Sequence, residues 1–132
     1  MASPIRNRSK IDIIDTAIDP STAADRAGTR EVRYQKAGDR DLYKVWIYLD
    51  GPDVPFVQAA IYELHPSFAQ RVHTVSRTVA NPSCALIIWT WGIFDVKATL
   101  RMKSGESVEL THKLSYDRDF AKEGVTFVPE SA

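Results

Sequence analysis

Between Phe94 and Lys103 the chain reads FDVKATLRMK. Phe94, Val96, Ala98, Leu100 and Met102 alternate with Asp95, Lys97, Thr99, Arg101 and Lys103. That period of two fits a strand with one buried and one wet face. It does not fit a helix, whose apolar residues recur every three or four positions. Ser104-Gly105-Glu106 then turns the chain, and Val108, Leu110, His112 and Leu114 supply the answering face of a hairpin partner.

The same period governs most of the remaining sequence. Glu31–Lys36 alternates before the turn residues Gly38-Asp39. Leu42–Leu49 (LYKVWIYL) is rich in β-branched and aromatic residues, with Val45, Ile47 and Leu49 on one face. Asp50-Gly51-Pro52-Asp53 is a turn signal, and Phe56–Leu64 (FVQAAIYEL) reads as the next strand. Cys84–Trp89 reads as a short buried strand, and Val125–Val128 as a last one. No long stretch repeats at three and four. The expectation is an all-β, antiparallel sandwich of about 7–8 strands. Residues 1–30 differ in composition, with one apolar cluster from Ile11 to Ile18. They are expected to form a flexible or loosely docked N-terminal arm, with a short strand or helix around Ile11–Ile14, ahead of one domain over residues 31–128.

Charge narrows the function. Seventeen basic and seventeen acidic residues cancel, whereas nucleic-acid binding rests on surplus Lys and Arg. The single cysteine, Cys84, allows no intrachain disulfide and lies in an apolar run, so it reads as a small core residue in a reducing compartment. No apolar run approaches the roughly 20 residues of a membrane span. The opening MASPIRNRSKIDIID carries charges throughout, without the apolar core of a signal peptide. The expected location is the cytoplasm, or the nucleus for a eukaryotic chain.

Two short segments carry residue mixtures that a core does not need. In Leu64–Phe68 (LHPSF), Pro66 stops the preceding strand, leaving His65, Ser67 and Phe68 on a loop. Either Ser67 bonds its own turn and Phe68 plugs the end of the sandwich, or the three face a ligand. In Trp89–Phe94 (WTWGIF), Gly92 interrupts the strand, so Trp91 sits in a turn as either a lid on the core or the wall of a site. Catalysis is not expected. A Ser nucleophile needs a base, an orienting acid and an oxyanion hole, and nothing around Ser67 resembles a strained strand-to-helix elbow or the G-x-S-x-G pattern. His65, His73, His112 and Cys84 share no metal-ligand spacing, and no G-x-G phosphate loop occurs, so no metal or cofactor is expected. Asp117-Arg118-Asp119 reads as a solvated turn.

Taken together, Tyr43-x-Val45 leading to Leu49-Asp50-Gly51-Pro52, Tyr62-x-Leu64-His65-Pro66-Ser67-Phe68, Trp91-Gly92-Ile93-Phe94 and Leu110-Thr111-His112-Lys113-Leu114 resemble the YEATS domain over about residues 31–117. The G-E-x-V-E-L-x-H-x-L hairpin from Gly105 is similar to that of prokaryotic members. The resemblance implies an immunoglobulin-like sandwich and a non-catalytic reader of acylated lysine, with an acylated protein or peptide as partner. It implies that Phe68 and Trp91 clamp the flat acyl-amide with Phe94 behind them. Ser67 Oγ would donate to the acyl carbonyl beside a backbone N–H near Trp91, and His65 would orient Ser67. An open-ended channel would favour crotonyl over acetyl. Thr90 stands where nuclear members usually have glycine, and Ile93 where they have an acidic or small residue, so Thr90 and Gly92 complete the candidate ligand-binding set. The alternative is an interaction module, associated with signalling or defence, whose ligand is not acyl-lysine.

Overall fold

The computed structural model describes residues 10–23 and 30–130. Its elements, in order, are β1 (Asp12–Thr16), α1 (Pro20–Ala23), β2 (Arg30–Ala37), β3 (Arg40–Asp50), β4 (Val57–Glu63), β5 (Val72–Ser76), β6 (Leu86–Thr90), β7 (Asp95–Met102), β8 (Ser107–Lys113) and β9 (Val125–Pro129). Short 3-10 helices occupy Val54–Phe56 and Tyr116–Ala121. The fold class is the one the sequence points to, an all-β immunoglobulin-like sandwich with its strands in two sheets. One sheet runs β1-β3-β2-β9 with β6 also paired to β3, and the other runs β5-β4-β7-β8. The chain divides into two compact units, Met1–Ile14 with Tyr48–Leu86 and Phe94–Leu114, and Asp15–Ile47 with Ile87–Ile93 and Ser115–Ala132.

In the first unit the period of two is written directly into burial. Val96, Ala98, Leu100 and Met102 on β7 are buried, while Asp95, Lys97 and Arg101 are exposed. β7 pairs with β8 from Asp95↔Lys113 to Arg101↔Ser107 and with β4 from Ala59↔Arg101 to Glu63↔Lys97. β5 pairs with β4 at the open edge of this sheet. No expected strand covers β5, because its burial alternates only between exposed and intermediate, with Val72 left 49% exposed. The turn after β3 needs its glycine. Gly51 has φ +130, and a Cβ there would lie 2.2 Å from the Lys10 carbonyl oxygen. Lys10 N–H in turn donates to the Asp53 carboxylate at 2.8 Å.

Cys84 is buried, but it does not begin a strand. It takes φ +51, and β6 starts only at Leu86. The apolar run from Cys84 hides this kink, which the Asn81 side chain stabilises by accepting from Ala85 N–H at 2.8 Å and donating to Ala85 O at 3.0 Å. The Tyr62 hydroxyl, fully buried, donates to Cys84 O at 2.7 Å. Burial raises both the Tyr62 phenol and the Cys84 thiol pKa above their ordinary values.

In the second unit β2 and β3 form a hairpin closed by Gly38-Asp39, in register from Tyr34↔Tyr43 to Ala37↔Arg40. β9 runs parallel to β2, from Arg30↔Val125 to Tyr34↔Pro129. That departs from the antiparallel pairing of β2 with β3, and it is allowed because most of the chain intervenes between β2 and β9. Tyr43, Tyr116, Phe120 and Phe127 cluster, with Tyr43 and Phe120 ring centroids 4.8 Å apart. The stretch expected as an arm contributes structure. Ile11, Ile13, Ala17 and Ile18 are buried, because their alternation suits an added edge strand, β1 beside β3. Buried Asp119 accepts from the Thr16 hydroxyl at 2.7 Å and from Ala17 N–H at 3.0 Å, and it meets Lys122 at 2.9 Å. The remainder of that stretch, residues 1–9 and 24–29, lies outside the described residues.

Candidate functional site

The seven sequence candidates come from two stretches, one following β4 and one running from the end of β6 to the residue before β7. The first follows β4. Leu64 N–H still donates to Arg71 O at 2.8 Å, and Phe68 N–H donates to His65 O at 3.0 Å, so residues between them form a tight turn. Ser67 N–H donates to His65 Nδ1 at 3.1 Å, and Ser67 Oγ lies 2.9 Å from the same nitrogen. A backbone N–H can only donate, so Nδ1 is the acceptor and the ring proton sits on Nε2. The single lone pair of Nδ1 is then shared by the Ser67 hydroxyl and the Ser67 amide. That sharing weakens the hydroxyl's hold and lets it rotate toward another acceptor. His65 and Ser67 are exposed and Phe68 is half-buried. Phe94, just before β7, gathers the loop: its ring centroid lies 5.4 Å from Phe68 and 5.9 Å from His65, both tilted.

Nδ1, the nitrogen facing the hydroxyl, is also engaged by the Ser67 amide, and among the described residues no carboxylate meets His65 to orient it. Among the described residues, too, no group of three or more His, Cys, Asp and Glu side chains is placed to hold a metal ion. Among the described residues no helix is long and apolar enough to cross a membrane.

The second loop follows β6. Thr90 is buried, and its Oγ1 accepts from Gly92 N–H at 3.3 Å. Gly92 O accepts from the Tyr116 hydroxyl at 3.0 Å. Both backbone polar groups of Gly92 are therefore held. Gly92 does not adopt the left-handed conformation that glycine favours, and a Cβ there would meet nothing within 4 Å. Its smallness leaves open space beside Trp91. Trp91 itself is 60% exposed. The Arg40 guanidinium stacks over its ring, Cζ 3.9 Å from the centroid. Tyr116 is 2% exposed, and its phenol pKa is pushed up to about 12, first by burial and then by the nearby negative charge of Asp117.

Arg40 and Tyr116 escape sequence reasoning. Arg40 in G-D-R-D looks like any solvated turn charge, and Tyr116 in L-S-Y-D carries no pattern that points back to Gly92. A hollow of about 520 Å³ lies over the outer face of the β4-β7-β8 sheet, lined by residues that include Ile61, Glu63, Lys97, Thr99 and Glu109. None of the seven candidates lines it.

The chain is all-β, with an L-H-P-S-F segment after one strand and a W-G-I-F segment after another. The model of the prokaryotic YEATS domain matches residues 43–115, more than half of the chain, and the chain belongs to that family. Two solved structures are similar to it. One is described as "The Yaf9 YEATS domain Recognizing H3K122suc Peptide", at 16% identity and TM-score 0.49, covering 82% of this chain and 77% of that one. The other is described as "Crystal structure of the Yaf9 YEATS domain bound to H3K27ac", at 15% identity and TM-score 0.46, with the same coverage. No curated protein matches the chain.

Proposed function

We propose that this domain is a non-catalytic binding module that reads acylated lysine on a protein or peptide partner. The observation that carries the reading is Trp91: a large aromatic, 60% exposed, beside a glycine whose backbone is held at both ends, in a chain of the YEATS family. Leaving so much apolar surface in water on a fixed loop is unfavourable for folding, so its use lies in binding. Phe68 is the second aromatic contact, with Phe94 supporting it. The Ser67 hydroxyl, shared on His65 Nδ1, rotates to donate to the acyl carbonyl while the Ser67 amide keeps the ring in place.

The physical chemistry supports this ligand. Acylation removes the lysine charge, so the side chain loses little on leaving water. Its amide must find partners once buried, or it costs about 1–3 kcal/mol. Its planar π system suits aromatic faces, and a longer flat crotonyl group gains more stacking than acetyl. Calorimetry with crotonyl-lysine, acetyl-lysine and unmodified peptides tests the reading. It predicts saturable binding of the acylated peptides only, tighter for crotonyl, and weakened by Ser67→Ala and Phe68→Ala. Equal binding of acylated and unmodified peptide would overturn it in favour of an interaction module with a different ligand.

A further inference from the structure

The Arg40 side chain has no role in the reading so far. Its guanidinium sits over the Trp91 ring, Cζ 3.9 Å from the centroid, close enough for a cation–π contact. Among the described residues no carboxylate pairs with it. Asp41, next in the chain, is held by Lys36 at 3.3 Å, its register partner across the hairpin. Arg40 is exposed, and its contact with Trp91 places the guanidinium beside the aromatic residue proposed to contact the ligand. An unpaired guanidinium is a fork of donors matched to the two oxygens of a carboxylate.

We infer that Arg40 receives a carboxylate of the ligand, making this a domain that prefers an acylated lysine accompanied by negative charge. The inference rests on the acyl-lysine reading and adds a specificity residue to it. Two sources present the same chemistry: an acyl group that itself ends in a carboxylate, or an acidic residue beside the modified lysine. A neutral ligand leaves the N–H edges to water and gains nothing from them. The pair would form at the surface, so the effect is selectivity and salt dependence rather than high affinity.

The test is calorimetry on the full chain with three peptides of one sequence: crotonyl-lysine with neutral neighbours, succinyl-lysine with neutral neighbours, and crotonyl-lysine beside a glutamate. At low salt, at least one of the two charged peptides should bind about three- to tenfold tighter than the neutral one, and which one it is identifies the source. The ratio should shrink at 0.5 M salt, where the Debye length falls to about 4 Å. It should collapse to about one in Arg40→Gln and survive in part in Arg40→Lys, which keeps the charge without the fork. Binding of the neutral crotonyl peptide with no advantage for either charged peptide overturns this inference and leaves the acyl-lysine reading standing. An advantage that persists in Arg40→Gln also overturns it. Binding of none of the three overturns both.

Discussion

Tyr116 holds Gly92. The hydroxyl of a side chain only 2% exposed donates to the Gly92 carbonyl at 3.0 Å, immediately after the exposed Trp91. A residue at the start of a 3-10 helix thereby fixes a loop twenty-four positions earlier in the chain.

Tyr116→Phe removes only that hydroxyl and should cost about 1–2 kcal/mol, since a part-buried carbonyl loses its donor. The Trp91 indole N–H resonance should broaden or move, while the resonances of Trp46 and Trp89 stay. The same phenol makes stability pH-dependent. Its folded pKa is about 12 against an ordinary 10.0, so its contribution is full below pH 10 and lost as pH rises from 10 to 12. The loss should reach about 2–3 kcal/mol. Denaturant melts at pH 9 and 11.5 should show a smaller difference for Tyr116→Phe than for the parent, the remainder arising from Tyr62, Tyr43 and Cys84, whose pKa values are also raised.

Gly51→Ala should be among the most damaging single-methyl changes available. It combines φ +130 with a Cβ 2.2 Å from backbone that cannot swing aside. The expected cost is at least about 2 kcal/mol, read as a lower melting midpoint with earlier proteolysis near Lys10.

Asp119→Ala leaves the Ala17 N–H and the Thr16 hydroxyl without their acceptor. A cost of about 2–3 kcal/mol is expected for the two stranded donors. Faster amide exchange at Ala17 should accompany it, and unchanged exchange there would show that β1 is held by other contacts.

How far the sequence was legible follows from where each contact comes from. β3 and β7 announce themselves because Val45, Ile47, Leu49, Val96, Ala98 and Leu100 are buried at every second position. β5 does not, because an edge strand with Val72 half in water lacks that contrast. The left-handed turn at Cys84 is hidden because its stabilising partner is the Asn81 amide, and the chain shows only an apolar run. In the candidate site, the His65–Ser67 pairing lies within three residues and is readable as a turn. The Arg40–Trp91 stack joins positions fifty-one apart in sequence, and nothing local encodes it.

Trp91→Ala separates binding from folding. A Trp buried in a core costs about 3–5 kcal/mol on truncation. At 60% exposure, with only the Arg40 stack to lose, Trp91 should cost no more than about 1 kcal/mol. A fall of several kcal/mol would return Trp91 to a structural role.

The most direct measurement of the central claim is an NMR titration of the full chain with a crotonyl-lysine peptide, with unmodified peptide and Trp91→Ala as controls. The account predicts saturable shifts at the Trp91 indole and at the Ser67 and Phe68 amides, absent with unmodified peptide and lost in the variant. No shift at millimolar crotonyl-lysine peptide, or equal shifts with the unmodified one, would contradict it.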